Sequence, residues 1–276
     1  MTTRIFIGNR RVDAIAPDDR GLAYGDGLFE TMRVHRGTLP WWDAHWMRLQ
    51  WGAERLRLRL PDASQVRAEA TALFAEAPAC DGVLKLIVTR GSGTRGYAPT
   101  VDAEPAWLLS RHCSPSPLPA EGLQVRWCET RLASQPLLAG IKHCNRLEQV
   151  LARAECIEAN VDEGLMCDDD GHVVAATSAN IFVLHDGHWL TPKLDRCGVA
   201  GICRAQLLPA LQAREARLDV AAVEAADAVF LSNAVRGILP LARLGTRAWL
   251  PHPVVATAKA ELARLHPAFA LDMEHP

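Results

Sequence analysis

Lys142 is the residue whose surroundings first suggest chemistry. It follows the apolar stretch Leu137-Leu138-Ala139-Gly140-Ile141 and precedes a helix expected to begin near Asn145. An amine that attacks an aldehyde must be unprotonated, so it needs partial desolvation and a fixed position. Burying an isolated lysine in such a run without a purpose would be costly. The same residues also fit a lysine that snorkels from a strand end to water. A second feature is Gly201-Ile202-Cys203, which opens a helix. Free N–H groups and the helix dipole favour an anion there, although a glycine at a helix start is usually a turn residue. Ser232-Asn233-Ala234 ends a strand, where a turn can add another donor. Arg90 and Arg95 flank a glycine-rich loop, RGSGTRG, with Tyr97 just after it. That loop is either a cationic binding element or a solvated turn.

The surrounding elements must position these residues. Ile5-Phe6-Ile7, the turn Gly8-Asn9 and the return Arg11–Ile15 read as an opening hairpin. Asp43 can cap a helix running to about Arg57, on which Trp46, Leu49, Ala53 and Leu56 recur at helical spacing. A second helix is expected from about Asp62. Val83–Thr89 is a β-rich run, and Trp107–Ser110 is another short strand, followed by the basic pair Arg111-His112 as weaker binding candidates. Strands beside helices, without strict βαβ alternation, favour an α+β fold. Cys113–Glu121, CSPSPLPAE, has three prolines and no apolar periodicity and reads as a linker. It divides the chain into an N-terminal α+β domain, 1–112, and a C-terminal domain, 122–276, both of ordinary size. In the second domain a strand over Leu123–Cys128 is expected. A helix over Asn145–Ala159 follows, with Leu147, Val150, Leu151 and Ala154 on one face. Two hairpins turn at Asp170-Gly171 and Asp186-Gly187. Then come a helix from Gly201-Ile202 to about Arg214, a strand over Ala228–Leu231 and a final helix over roughly Val254–Leu265.

The 276 residues are 49% hydrophobic and carry a net charge of −2. Such a balance gives no general field for holding nucleic acid or an acidic membrane. No apolar run approaches the roughly 20 residues needed to span a bilayer, and MTTRIFIGNRR lacks the features of a signal peptide. A cytoplasmic location is the expectation. The eight cysteines, Cys80, Cys113, Cys128, Cys144, Cys156, Cys167, Cys197 and Cys203, form no CxxC pair or zinc spacing. They are expected mostly as reduced thiols packed like small apolar residues, and no metal site is expected.

The segment LLAGIKHCNRLEQVLARAE, residues 137–155, resembles the signature of the 4-amino-4-deoxychorismate lyases, an AGIKHxNRLEQ stretch whose lysine bonds pyridoxal 5'-phosphate (PLP). Every fixed letter is present. Further similar segments occur in the same order: LAYGDGLFETMRV (22–34), DAHWMRLQ (43–50), VTRGSGTRGYAP (88–99), DEGLMCDDDGHVV (162–174), SANIFVL (178–184), GVAGICR (198–204) and LSNAVRGILPL (231–241). GDGLFET and SANIF belong to fold type IV PLP enzymes generally, whereas IKHCNRLEQ is specific. The resemblance implies a two-domain fold type IV enzyme, like the D-amino acid and branched-chain aminotransferases, with its PLP-binding domain C-terminal. It implies that Lys142 carries PLP. Arg48 grips the phosphate through a charge-assisted fork, a role that its place one turn after His45 would not by itself distinguish from a surface helix arginine. Ile202 and Cys203 give backbone N–H groups, and Asn233, Ala234 and Thr177 complete the cofactor contacts. Arg95 and Tyr97, with Arg90, are assigned to the substrate carboxylates. The implied reaction, in folate biosynthesis, splits 4-amino-4-deoxychorismate into 4-aminobenzoate and pyruvate, with Lys142 moving the proton at C4. A homodimer is the family expectation.

One position departs from the pattern. Fold type IV enzymes usually place a glutamate opposite the pyridine nitrogen, five residues before the asparagine of N-[LI]-F. Here Asn180-Ile181-Phe182 puts Ala175 there. Asp168, Asp169 and Asp170 lie nearby but are expected to face solvent in a hairpin turn, which leaves a hydroxyl such as Thr177, or a water, as the expected neighbour. The loss tells against a branched-chain or D-amino acid aminotransferase, the alternative within this fold. A PLP-binding protein without turnover is the alternative from another class.

Overall fold

A computed structural model describes residues 2–75, 81–99, 102–117 and 119–270. Cys80 lies outside them. The chain divides into two compact units, Met1–Pro115 with Ile141–Asn145, and Ser116–Gly140 with Arg146–Pro276.

The first unit is built on an antiparallel sheet of β1 (Thr2–Ile7), β2 (Arg10–Val12), β3 (Gly27–Val34), β4 (Gly82–Thr89) and β5 (Ala106–Cys113), in the order β2-β1-β5-β4-β3. The opening hairpin turns at Gly8-Asn9 as expected. Strand β5 is longer than its sequence suggests because it pairs on both sides, with β1 and β4. Arg111 and His112 therefore lie in the sheet. Arg111 packs over the Phe74 ring, and His112 Nε2 lies 3.0 Å from Ser110 Oγ. Strand β3 buries alternate residues, Leu28, Glu30, Met32 and Val34, so one carboxylate sits on an otherwise apolar face.

Three helices accompany this sheet: α1 (Arg20–Tyr24), α2 (Trp42–Leu56) and α3 (Ala63–Ala75). Asp43 does not cap α2. Trp41 occupies the N-cap in a left-handed conformation, and Asp43 falls in the first turn, where its charge still complements the dipole. Asp62, by contrast, accepts from Gln65 N at 2.9 Å at the start of α3. Helix α2 packs on β3 with Gly52 at the contact, where a Cβ would meet the Leu28 methyls at 3.0 and 3.1 Å.

The second unit carries a nine-stranded mixed sheet. Its strands are β6 (Leu123–Trp127), β7 (Glu163–Cys167), β8 (Val173–Ala176), β9 (Asn180–His185), β10 (His188–Pro192), β11 (Arg214–Ala216), β12 (Ala228–Asn233), β13 (Gly237–Leu244) and β14 (Arg247–Ala248). The order is β11-β10-β9-β12-β13-β6-β7-β8, with β14 on β13. Both expected hairpins form, and at the second Asp186 and Gly187 both take positive φ, as a two-residue turn requires. Leu165, Ile181, Val183, Val223 and Leu231 centre one core cluster.

The helices of this unit are α4 (Leu147–Glu158), α5 (Ile202–Ala210), α6 (Val220–Glu224) and α7 (Pro253–Leu265). Helix α5 stops short of Arg214, because Gln212 turns left-handed and Arg214–Ala216 pair with β10 instead. Helix α4 buries Ala152 and Cys156, while Leu147, Val150, Leu151 and Ile157 stand exposed. Among the described residues, no helix is long and apolar enough to cross a membrane.

Candidate active site

Lys142 is fixed by its backbone. Residues 141–145 run beside β3: the Phe29 N–H donates to the Lys142 carbonyl at 3.0 Å, the Cys144 N–H donates to Gly27 O at 2.9 Å, and Leu28 bridges His143. The half-buried side chain places Nζ 4.3 Å from the centroid of the Phe29 ring, close enough for a cation–π contact in its charged form. Asn145 Nδ2 donates to Gly25 O at 3.0 Å and secures the other end of the segment.

Glu30 anchors a buried cluster behind this strand. Arg48 grips its carboxylate with two donors, Nε to Oε1 at 2.8 Å and Nη2 to Oε2, and His45 Nδ1 lies 2.6 Å from Oε2. Burial alone would raise the Glu30 carboxyl, but the Arg48 guanidinium and the His45 bond outweigh it and bring it down to about 2. Burial pushes His45 down from its ordinary value. Glu30 opposes that shift, while the positive charges of Arg48 and Lys142 add to it. His45 Nε2 is buried with no hydrogen-bond partner.

A second charged network holds the loop that bears Arg95 and Tyr97. Asp26 accepts from Arg20 Nε at 2.9 Å and from Arg90 Nε and Nη2 at 2.7 and 3.0 Å. Arg20 also donates to the carbonyls of Gly96, Tyr97 and Ala98, and the Gly96 N–H donates to Tyr24 Oη. Burial would raise Asp26, but the two guanidiniums hold it below the usual carboxylate range. Arg90 further donates to the carbonyls of Leu56 and Arg57 at 2.8 and 2.7 Å, closing the C-terminus of α2. Its guanidinium is thus engaged on structure. Arg95 and Tyr97 are exposed at the loop tip.

The second unit offers a different kind of site. Helix α5 begins at Gly201 with no side-chain cap, so its first N–H groups are available to an anion. Gly201 is dictated by a close approach: a Cβ there would lie 2.0 Å from Asn180 Oδ1. Asn180 Nδ2 in turn donates to Val199 O at 2.9 Å and fixes the turn. Burial pushes the Cys203 thiol up to about 12, so it stays neutral and brings no negative charge to the helix start. Ser232, on β12, is buried, and its side chain meets the Cys203 thiol, which opposes the upward shift of that thiol. Asn233 Oδ1 accepts from the N–H groups of Val235 and Arg236, shaping the turn that carries Ala234.

Ala175 lies buried on β8 opposite Met166. Asp168 is buried rather than facing solvent, with its carboxylate accepting from the N–H groups of Asp170 and His172; Asp169 and Asp170 are exposed. A carboxylate overlooked in the sequence, Glu163, accepts from Thr177 Oγ1 and from Ser178 Oγ at 2.6 Å. The Thr177 hydroxyl proton is therefore committed, and its lone pairs remain for other donors. Glu30 and Asp26 were overlooked too. Their signal was an acid every fourth residue in an alternating apolar strand, DGLFE, where burial of a charge demands a partner. The seven described cysteines form no disulfide, and five are buried.

A phosphate-bearing cofactor fits these features. The first unit keeps a buried polar atom without a partner, His45 Nε2, on the helix that carries Arg48, and the second has the uncapped start of α5. The antiparallel sheet of the first unit, the mixed sheet of the second and the helices beside them make an α+β fold. The chain belongs to the amino-transferase class IV family, whose model matches residues 27–244, and it has the fold type IV architecture. It is 40% identical to the 4-amino-4-deoxychorismate lyase of Pseudomonas aeruginosa, whose crystal structure superposes with a TM-score of 0.87 over 98% of this chain and 100% of that one. It is 35% identical to the aminodeoxychorismate lyase of Vibrio harveyi, over 81% of this chain and 84% of that protein. A D-alanine aminotransferase of Staphylococcus epidermidis is 24% identical over 88% and 89%.

Proposed function

We propose that this protein is a PLP-dependent lyase that converts 4-amino-4-deoxychorismate to 4-aminobenzoate and pyruvate, in folate biosynthesis. The observation that carries the reading is Lys142, within AGIKHCNRLEQ, pinned to β3 through its own carbonyl. PLP, when bound, supplies an electron sink for the substrate's amine-bearing carbon. Lys142 Nζ removes the proton at C4, and the resulting ammonium protonates the enolpyruvyl fragment as it departs. Aromatisation of the six-membered ring provides a driving force that a transaminase lacks. Arg48, the N–H groups of Ile202 and Cys203, and the Asn233–Ala234 turn bind the phosphate. Thr177, whose hydroxyl already donates to Glu163, would be the group facing the pyridine nitrogen. Arg95 and Tyr97 meet the substrate carboxylates, and Arg90 holds their loop in place.

The two units serve as N- and C-terminal domains joined through the proline-rich segment 113–121. The enzyme works in the cytoplasm as a homodimer. The dimer is supported by the exposed row Leu147, Val150, Leu151 and Ile157 on α4, an apolar stripe of the kind that partner surfaces cover.

The test is product analysis. Purified enzyme and 4-amino-4-deoxychorismate should yield pyruvate and 4-aminobenzoate in equal amounts with no oxo acid added. Borohydride reduction should bleach a visible absorption band and leave the pyridoxyl group on Lys142 in peptide maps. Strict dependence on an oxo acid would favour the aminotransferase reading, and a label on another lysine would remove Lys142 from the site.

A further inference from the structure

His45 is fully buried on α2, and its two ring nitrogens differ sharply. Nδ1 faces Glu30 Oε2 at 2.6 Å. Glu30 is ionised and accepts only, so Nδ1 carries the proton and donates. Nε2 is then a bare lone pair, buried and unmet. Such atoms are rare in folded proteins because each one lowers stability.

The charges that act on the ring come from three elements. Glu30 lies on β3, Arg48 one turn further along α2, and Lys142 on the 141–145 segment. Arg48 is already bidentate on Glu30, so the pair is close to neutral as a unit. A phosphate dianion arriving beside Arg48 would find most of that positive charge compensated. The one uncommitted group in the cluster is Nε2. Before the anion arrives, burial and the charges of Arg48 and Lys142 keep it unprotonated, and a dianion reverses the sign of that field.

We propose that His45 is a proton-coupled ligand of the cofactor phosphate: when a phosphate monoester binds beside Arg48, Nε2 takes one proton from solvent and donates it in a hydrogen bond to a phosphate oxygen, while Nδ1 continues to donate to Glu30. This rests on the PLP reading. No covalent bond changes, and the protein gains one positive charge. Glu30 then has a second role, since its carboxylate stabilises the imidazolium as well as orienting Arg48.

Pyridoxine 5'-phosphate is the probe, because it has the phosphate but no aldehyde and so leaves the Lys142 amine unmodified. Calorimetry on the full apo chain, in buffers of different ionisation heat, counts protons taken up per ligand bound. Work above about pH 7.5 keeps the phosphate a dianion throughout, its second pKa being near 6. Uptake should approach about one proton between the ring's pKa in the free protein and its higher pKa in the complex, and over that window affinity should fall toward tenfold per pH unit as pH rises. In wild-type protein labelled with ¹⁵N-histidine, the His45 Nε2 resonance should change from unprotonated to protonated on binding. His45→Gln, which sets a neutral amide donor near Nε2, should bind with pH-independent affinity and lose the uptake. That separates His45 from any titration of Lys142. Binding without uptake, with Nε2 still unprotonated, overturns the proposal and leaves the PLP reading intact. If neither pyridoxine 5'-phosphate nor PLP binds, both fall. Should His45→Gln not fold, the wild-type resonance alone decides.

Discussion

The two units differ in what they bury around the candidate phosphate elements. The first uses full charges, with Glu30 and His45 buried and both His45 and Arg48 locked to Glu30 by side-chain bonds. The second uses dipoles and neutral groups: the uncapped start of α5, the Ser232 hydroxyl and a thiol that burial keeps protonated. A buried charge network is strong but brittle, because each member depends on the others being present. A helix terminus tolerates changes in its side chains but not in its backbone path, because the donors are N–H groups. The first unit should therefore be sensitive to residue chemistry and the second to residue size.

Glu30→Gln should do the most damage. It leaves the Arg48 guanidinium buried without its counter-ion, a loss of roughly 3–5 kcal/mol in stability. Thermal or denaturant melts would measure it, and Glu30→Gln with Arg48→Met should recover part of the loss by removing the stranded charge. The same pair sets an acid limit. The folded Glu30 carboxyl is depressed to about 2, so its contribution is present above the ordinary carboxyl range and is lost as pH falls toward 2. Acid melts of wild type should show that loss, and those of Glu30→Gln should lack it. Equal stability of the two proteins at pH 7 would show that the cluster is not held by charge.

Gly201→Ala tests the second unit on size. The added methyl would sit 2.0 Å from Asn180 Oδ1, so the turn before α5 must shift. We expect about 1–3 kcal/mol of destabilisation and about tenfold weaker PLP retention, read from the absorption of the dialysed enzyme. Cys203→Ser, which keeps the backbone, should leave retention within about twofold. A large effect of Cys203→Ser beside a mild one of Gly201→Ala would reverse the contrast between the units.

Ala175→Glu should have the smallest effect. The new carboxylate enters a buried strand opposite Met166, where overpacking limits what fits. Where it is accommodated, slow transamination should rise relative to lyase turnover. That ratio is read from amino transfer to an added oxo acid. An unchanged ratio in a folded variant would mean that the position does not face the cofactor ring.

What the sequence made legible divides along the same line. Lys142 stood out because its segment is distinctive, and the Gly201 turn because a glycine before a helix marks a backbone feature. The hairpins at Asp170-Gly171 and Asp186-Gly187 were readable from local turn chemistry alone. Side-chain networks between distant segments were not. Arg20, Asp26 and Arg90 meet across more than sixty residues of chain, and Glu163 reaches Thr177 only once β7 and β8 pair. Arg90 illustrates the cost of reading composition locally: an arginine beside a glycine-rich loop suggests substrate, yet its donors close a helix end formed far earlier in the chain. The apolar face of α4 was legible as a face, but not as an exposed one. Helical periodicity identifies a face, but only neighbours determine whether that face is buried within one chain.

The pairing of residues 141–145 with β3 has a consequence for how the protein is made. The Phe29 N–H waits for a carbonyl more than a hundred residues downstream. The sheet edge exists only once β4 is complete at Thr89, and the roughly fifty residues from there to Lys142 take a ribosome roughly 3 to 10 s at 5–20 residues per second. During that time β3 is an open sheet edge on a nascent chain, a template for pairing with the wrong strand. A fragment ending at the proline-rich segment would keep that edge permanently, so it should aggregate beyond a dimer where the whole chain does not. The five residues around Lys142 thus also act as a chaperone in cis, covering the start of that edge at Gly27–Phe29.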